Sequence, residues 1–223
     1  KEKIDYYVAK AEGKEGFDAE LILHDELGKD VKYYEYENDV PQDCHTIYGA
    51  FIKNECVCDG FAKCMQILLD RKNIESIIVT GTLEDESHAW NMVKLNDKWY
   101  HLDLTSNKSI KDIKEDVVLH TYFNLTIAQI ENTHKIDNKE ILPEANSTEY
   151  NYYIYSNKYI STSEIFNSKL RTILDSNENQ TLVEFGFFDI NNVAEKVVDF
   201  LSRNRYNEYV SNNKITYYSL LDS

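Results

Sequence analysis

Proline and glycine are scarce in this chain, two and seven residues among 223, and no long apolar run breaks its polar texture. A helix that crosses a bilayer needs about 20 predominantly apolar residues, so no membrane span is expected in this segment. Positive charge is also short: 24 Lys and Arg stand against 39 Asp and Glu, a formal charge of −15. Nucleic-acid binding requires a basic face for phosphate, and the composition argues against that class of partner. The acidity serves solubility and would attract cationic groups, such as amines on a cell surface or wall. Few Gly and Pro beside abundant Asn, Lys, Ile and Tyr fit an AT-rich bacterial genome. The chain starts at Lys1 with no visible signal peptide, as a mature or trimmed segment would.

Cysteine is confined to one stretch. Cys44, Cys56, Cys58 and Cys64 are the four in the chain, so they do not form a disulfide framework spread over its length. The paired Cys-x-x-Cys spacing of a zinc site is missing, no oxygen-ligand loop for calcium stands out, and neither metal nor cofactor is expected. Cys64 lies well round a helix from Cys58 and reads as a core residue. A Cys44–Cys56 disulfide is compatible with the spacing.

With 42% apolar residues the chain can bury a core, as one large domain or one domain plus a small one. The spacing of Phe17, Leu21, Leu23 and Leu27 predicts a helix over Asp18–Leu27, with Asp18 as N-cap and Gly28 as its stop. Phe61, Ala62, Met65, Ile67, Leu68 and Leu69 predict a buried helix from Cys58 to Lys72. Ile74–Val79 reads as a strand. Residues 87–95 and 98–105 read as two more, joined by Asn96-Asp97 as a tight hairpin turn. In that register Leu95 pairs with Lys98, Trp90 with Asp103 and His88 with Thr105. Alternation puts Ala89, Val93, Leu95, Tyr100, Leu102 and Leu104 on the core face. His88, Trp90, Met92, His101 and Asp103 share the other, with His88 and Asp103 within bonding reach. A short helix is expected around Ile127–Thr133. From Tyr150 the pattern changes to strand Tyr152–Ile160, helix Ser163–Leu174, strand Thr181–Phe188, helix Asn191–Arg203 and strand Lys214–Leu220. The domain reading is therefore 1–149 plus a small α/β module over 150–223.

The chemistry-bearing residues are Cys58 at a helix start, His88 on one strand and Asp103 on the next. A cysteine attacks as its thiolate. First-turn N–H groups favour an anion, an imidazolium at His88 would pair with it, and Asp103 would orient that ring. The same N–H groups would receive an oxyanion. Gly60 in the first turn would let helix and substrate backbone approach closely. His24 reads as a surface or packing residue.

Five segments carry a family resemblance: Ile47-Tyr48-Gly49-Ala50-Phe51, Val57-Cys58-Asp59-Gly60-Phe61-Ala62, Val79-Thr80-Gly81, His88-Ala89-Trp90-Asn91 and Lys98-Trp99-Tyr100-His101-Leu102-Asp103. They resemble the core of bacterial transglutaminase-like proteins, over roughly residues 17–105. The resemblance implies an α+β papain-like core, a helix starting at the nucleophile and packed on an antiparallel sheet. It makes Cys58 the nucleophile, His88 the general base and acid, and Asp103 the orienting carboxylate, with Trp90 and Tyr48 near the site as substrate contacts. Ser106-Asn107 stand where an aromatic residue is common, implying a different substrate wall. The expected activity is thiol-dependent acyl transfer or hydrolysis at amide bonds of a protein or peptide substrate, at a bacterial cell surface. The alternative is a non-catalytic binding or scaffold module on the same fold.

Overall fold

The computed structural model describes residues 1–35, 39–108, 118–175, 186–187 and 200. Contacts divide the chain into two units, Lys1–Tyr155 and Ser156–Ser223, a few residues beyond the 149/150 division expected from sequence.

The first unit is of the α+β class. Three helices, α1 (Glu2–Lys10), α2 (Gly16–Asp30) and α3 (Cys58–Arg71), accompany a four-stranded sheet. Its strands β3 (Ser76–Leu83), β4 (Glu86–Leu95), β5 (Lys98–Leu102) and β6 (His134–Ile136) lie in the order β5-β4-β3-β6 and pair antiparallel. A two-residue parallel ladder joins β1 (Lys32–Tyr33) to β2 (Glu55–Cys56) just before α3. The helix α3 forms because Phe61, Met65, Leu68 and Leu69 fall on one face, and all four are buried against the sheet and the other helices. Each such side chain contributes about 1.5–3 kcal/mol by leaving water.

The β4–β5 hairpin follows the register read from sequence: Leu95 pairs with Lys98, and the ladder runs to Asn91 and Leu102. Asn96 (φ 45°) and Asp97 (φ 60°) are both left-handed, as a tight hairpin turn with the strands' own twist requires. Alternation also holds. Val93, Leu95, Tyr100 and Leu102 enter the core shared with α3. The opposite face is not left open, however. Trp90 and Met92 form a second core with Val79, Leu125, Ile130 and Ala145, because the chain after residue 118 folds across that side.

Several expectations are corrected. The helix α2 begins two residues earlier, with Glu15 as N-cap, so Asp18 sits inside its first turn. Gly28 does not stop α2; a Cβ there would lie 2.8 Å from Val118 Cγ2, so the small residue serves packing. The strand β5 ends at Leu102 and the chain turns into α4 (Leu104–Lys108), so the Trp90–Asp103 and His88–Thr105 pairs do not form. The expected Ile127–Thr133 helix is the shorter α5 (Ile127–Ile130), closed by a reciprocal Thr126–Gln129 capping box. Instead of a strand from Tyr152 there is a helical turn, α6 (Tyr152–Tyr155). Tyrosines three apart share one side of such a turn: Tyr152 stacks on His120 at 3.8 Å and Tyr155 meets Phe17 at 4.3 Å. No reading from sequence anticipated α1.

In the second unit, β7 (Tyr159–Ile160) pairs parallel with β8 (Gly186–Phe187), and α7 spans Ser163–Asp175. Of the expected Thr181–Phe188 strand, only 186–187 are described. The expected Asn191–Arg203 helix (residue 200 excepted) and Lys214–Leu220 strand lie outside the described residues. No described helix is long and apolar enough to cross a membrane.

Candidate active site

Cys58 is the first residue of α3, after Val57 in extended conformation, and no side chain caps this helix start. The first-turn N–H groups lack intrahelical partners by construction, and they remain available beside the thiol. Two neighbouring segments fix where α3 begins: a Cβ on Gly60 would meet Cys44 O at 2.6 Å and Cys56 Cβ at 2.7 Å. Gly60 therefore admits the protein's own chain, not a substrate backbone. All four cysteines are free thiols, without a Cys44–Cys56 bond. Cys44, Cys56 and Cys64 are buried, whereas Cys58 is partly exposed.

The sheet brings the other two expected residues to that thiol. Asp103 lies in the step between β5 and α4, and its Oδ2 is 2.8 Å from His88 Nε2. Cys58 is a neighbour of the His88 ring and helps to raise its imidazole. With Nε2 committed to Asp103, Nδ1 is the nitrogen left for sulfur. Cys58, His88 and Asp103 thus form one connected line from half-exposed thiol to fully buried carboxylate.

Asp103 has further partners that local spacing did not reveal. Its Oδ2 also meets His134 Nε2 at 3.0 Å. Ser106 donates its backbone N–H to Oδ1 at 3.2 Å and its hydroxyl to Oδ2. Ser106, expected in a substrate wall, instead closes the first turn of α4 onto the carboxylate. Burial alone would push the Asp103 carboxyl up, but His88 and His134 outweigh it and hold the group well below the usual carboxylate range. Burial likewise works against a charged His88, yet the Asp103 charge and hydrogen bond, followed by Cys58, carry its imidazole well above the ordinary value. The geometry therefore favours an imidazolium at His88 paired with the Asp103 carboxylate.

Trp90 lies behind this line. It is 1% exposed, its ring stacks on His88 with centroids 5.8 Å apart, and its Nε1–H donates to His101 Nδ1 at 3.0 Å. Expected as a substrate contact, Trp90 is instead a buried wall against the plane of the His88 imidazole. His101 is fully buried, and burial first, then the charges of His134 and Lys139, lower its imidazole to about 4, which keeps it uncharged. Tyr48 is 51% exposed, with the Lys53 ammonium over its ring. Tyr33, which sequence reading passed over, pairs with Cys56 across β1 and β2. Burial, then the charges of Cys58, Glu86 and Asp103, push its phenol up to about 12.

Two groups of described residues have the spacing of metal ligands, His88–Asp103–His134 and His24–Asp25–His120. In the second, Asn107 Oδ1 accepts from Tyr122 N–H, so its Nδ2–H must donate to His24 Nε2. The His24 proton then sits on Nδ1, where it bonds Asp25 at 2.9 Å and leaves no lone pair for an ion. His24 is accordingly a buried packing residue that ties α2 to α4.

Residues 3–104 match the family model of the transglutaminase-like superfamily. None of the curated proteins matches the chain. One similar solved structure is a candidate cysteine protease from Cytophaga hutchinsonii, at 16% identity and a TM-score of 0.40, covering 47% of this chain and 37% of the other. Another is a TGase, at 14% identity and a TM-score of 0.46, covering 98% of this chain and 52% of the other. The chain thus spans about half or less of the length of these structures.

Proposed function

We propose, for a chain whose residues 3–104 match the family model of the transglutaminase-like superfamily, that Cys58 forms a thioester with amide-bonded carbonyls of a protein or peptide. The observation that carries this reading is the Cys58–His88–Asp103 line, with a partly exposed thiol at an uncapped helix start. In the first half-reaction the sulfur lone pair attacks the carbonyl carbon, and the C=O electrons move to oxygen. First-turn N–H groups bond the resulting oxyanion. His88 gives its proton to the departing nitrogen as the C–N bond breaks, leaving amine or ammonia and the acyl thioester. In the second, an amine or water attacks the thioester, His88 takes its proton, and the thiol returns. An amine yields an isopeptide bond, and water yields hydrolysis or deamidation. The excess of acidic residues suits cationic acceptors at a cell surface, which we take as the place of action.

The test is to incubate the chain with glutamine-containing peptides, with and without a primary amine. Amine incorporation, ammonia release and peptide cleavage are then measured beside Cys58→Ala. One of these products, lost in the variant, is expected. Absence of all three with a reactive Cys58 would replace this reading with a binding module on the same fold.

A further inference from the structure

The residue that nothing in the local sequence announces is His134. It reaches the site from the far edge of the sheet. Its strand β6 pairs with β3, with Leu83 opposite His134 and Gly81 opposite Ile136. Gly81 permits that approach: a Cβ there would collide with Lys135 O, while Trp90 Cη2 waits at 3.0 Å. The chain is delivered to β6 by α5, whose Thr126–Gln129 box closes its start. Once there, the ring is boxed edge-on by Trp90 (5.0 Å) and Tyr122 (5.5 Å), and its Nδ1 meets the Thr133 hydroxyl at 2.8 Å. The one remaining ring nitrogen, Nε2, points at Asp103 Oδ2.

We infer that His134 is a positioning residue, which donates Nε2–H to Asp103 and so fixes the carboxylate that His88 depends on. The inference rests on the thiol chemistry proposed above. Asp103 is the only acidic partner of His88 at hydrogen-bond distance among the described residues. A carboxylate held only by His88 and Ser106 could turn about its own bond. A second imidazole on the same oxygen locks the rotamer and spreads its charge. Without that donor, more of the negative charge would fall on His88 and Cys58, and the thiolate would form only at higher pH. The titratable groups facing His134 are Asp103, His88, His101 and Tyr122. Its neighbour Lys135 turns outward to Asp85.

The experiment uses the full chain and reads the alkylation rate of Cys58 by iodoacetamide between pH 5 and 9. His134→Gln keeps an N–H donor near the Nε2 position; His134→Leu removes it. The Gln variant is expected to follow the wild-type curve. In the Leu variant the midpoint should rise by about one pH unit, a roughly tenfold loss of rate on the acid side. Coincident curves for wild type and His134→Leu would overturn the inference. Should the Leu variant not fold, imidazole ¹⁵N spectra of the wild-type chain decide the matter. A proton on His134 Nε2, with the His134 and His88 signals moving together in Asp103→Asn, supports it; a bare Nε2 overturns it. A wild-type Cys58 that does not react would sink the proposed acyl-transfer chemistry, while the spectra would still judge His134.

Discussion

Glu20 offers the most quantitative test of the energetics in this fold. It lies on α2 with no solvent exposure, and its Oε2 accepts from Asn124 Nδ2 at 2.9 Å. Among the described residues, neither Glu20 Oε1 nor Asn124 Oδ1 meets a donor. An ionised carboxylate could not remain there cheaply. Burial, opposed only by the Asn124 bond, raises its carboxyl from 4.5 to about 8. Between those values the folded chain holds a proton that the unfolded chain has released. The stabilisation is complete below 4.5 and is lost as pH rises towards about 8. At about 1.4 kcal/mol per pH unit, that separation caps the loss at roughly 5 kcal/mol. Glu20→Gln mimics the protonated side chain and removes the titration. Urea unfolding followed by the fluorescence of Trp90 and Trp99 is the assay, run at pH 5, 6.5 and 8. The variant should match wild type at pH 5 and exceed it by a few kcal/mol at pH 8. Parallel pH dependences for the two proteins would refute the idea of a neutral buried Glu20.

Other outcomes follow from the same contacts. Asp103→Asn should slow Cys58 alkylation at neutral pH at least about tenfold. It should also cost about 2–4 kcal/mol in urea unfolding, because three side chains bond that buried carboxylate; full retention of both properties would contradict its place at the centre of the site. Gly81→Ala should displace β6 through the Lys135 carbonyl, destabilise the unit by about 1–3 kcal/mol and slow Cys58 as His134 moves. Normal stability together with normal Cys58 kinetics would show that the close approach is not needed. A chain ended after Tyr155 should unfold cooperatively. One ended after Glu149 loses the ring contacts of Tyr150, Tyr152 and Tyr155 with Phe17 and His120, at roughly 1.5–3 kcal/mol per ring. Equal urea midpoints for the two truncations would place the boundary back at residue 149.

Local periodicity reveals the elements that position Cys58 and His88. The apolar stripe of α3 and the Asn96-Asp97 turn depend on neighbours in sequence, so helix start, hairpin register and strand faces could all be read from the chain. The reach from His88 to Asp103 came from the same register, although β5 ends before it. His134 could not be read this way. Its place depends on β6 pairing with β3 and on the small residue at 81, both set by tertiary contacts far apart in the chain. Trp90 was misjudged because alternation tells which face a residue occupies, not whether a later segment covers that face. Tyr152–Tyr155 has strong β propensity, but packing on Phe17 and His120 overrode it. Asp18 looked like a cap by residue type, while the helix continued one half-turn upstream to Glu15.

The measurement closest to the central claim is the pH dependence of alkylation for each cysteine, read by peptide mass spectrometry in wild type and His88→Ala. The account predicts that Cys58 alone reacts rapidly well below pH 8 and that the variant loses this reactivity, while Cys44, Cys56 and Cys64 stay protected by burial. A Cys58 that reacts no faster than its buried neighbours, or that ignores the loss of His88, would contradict it.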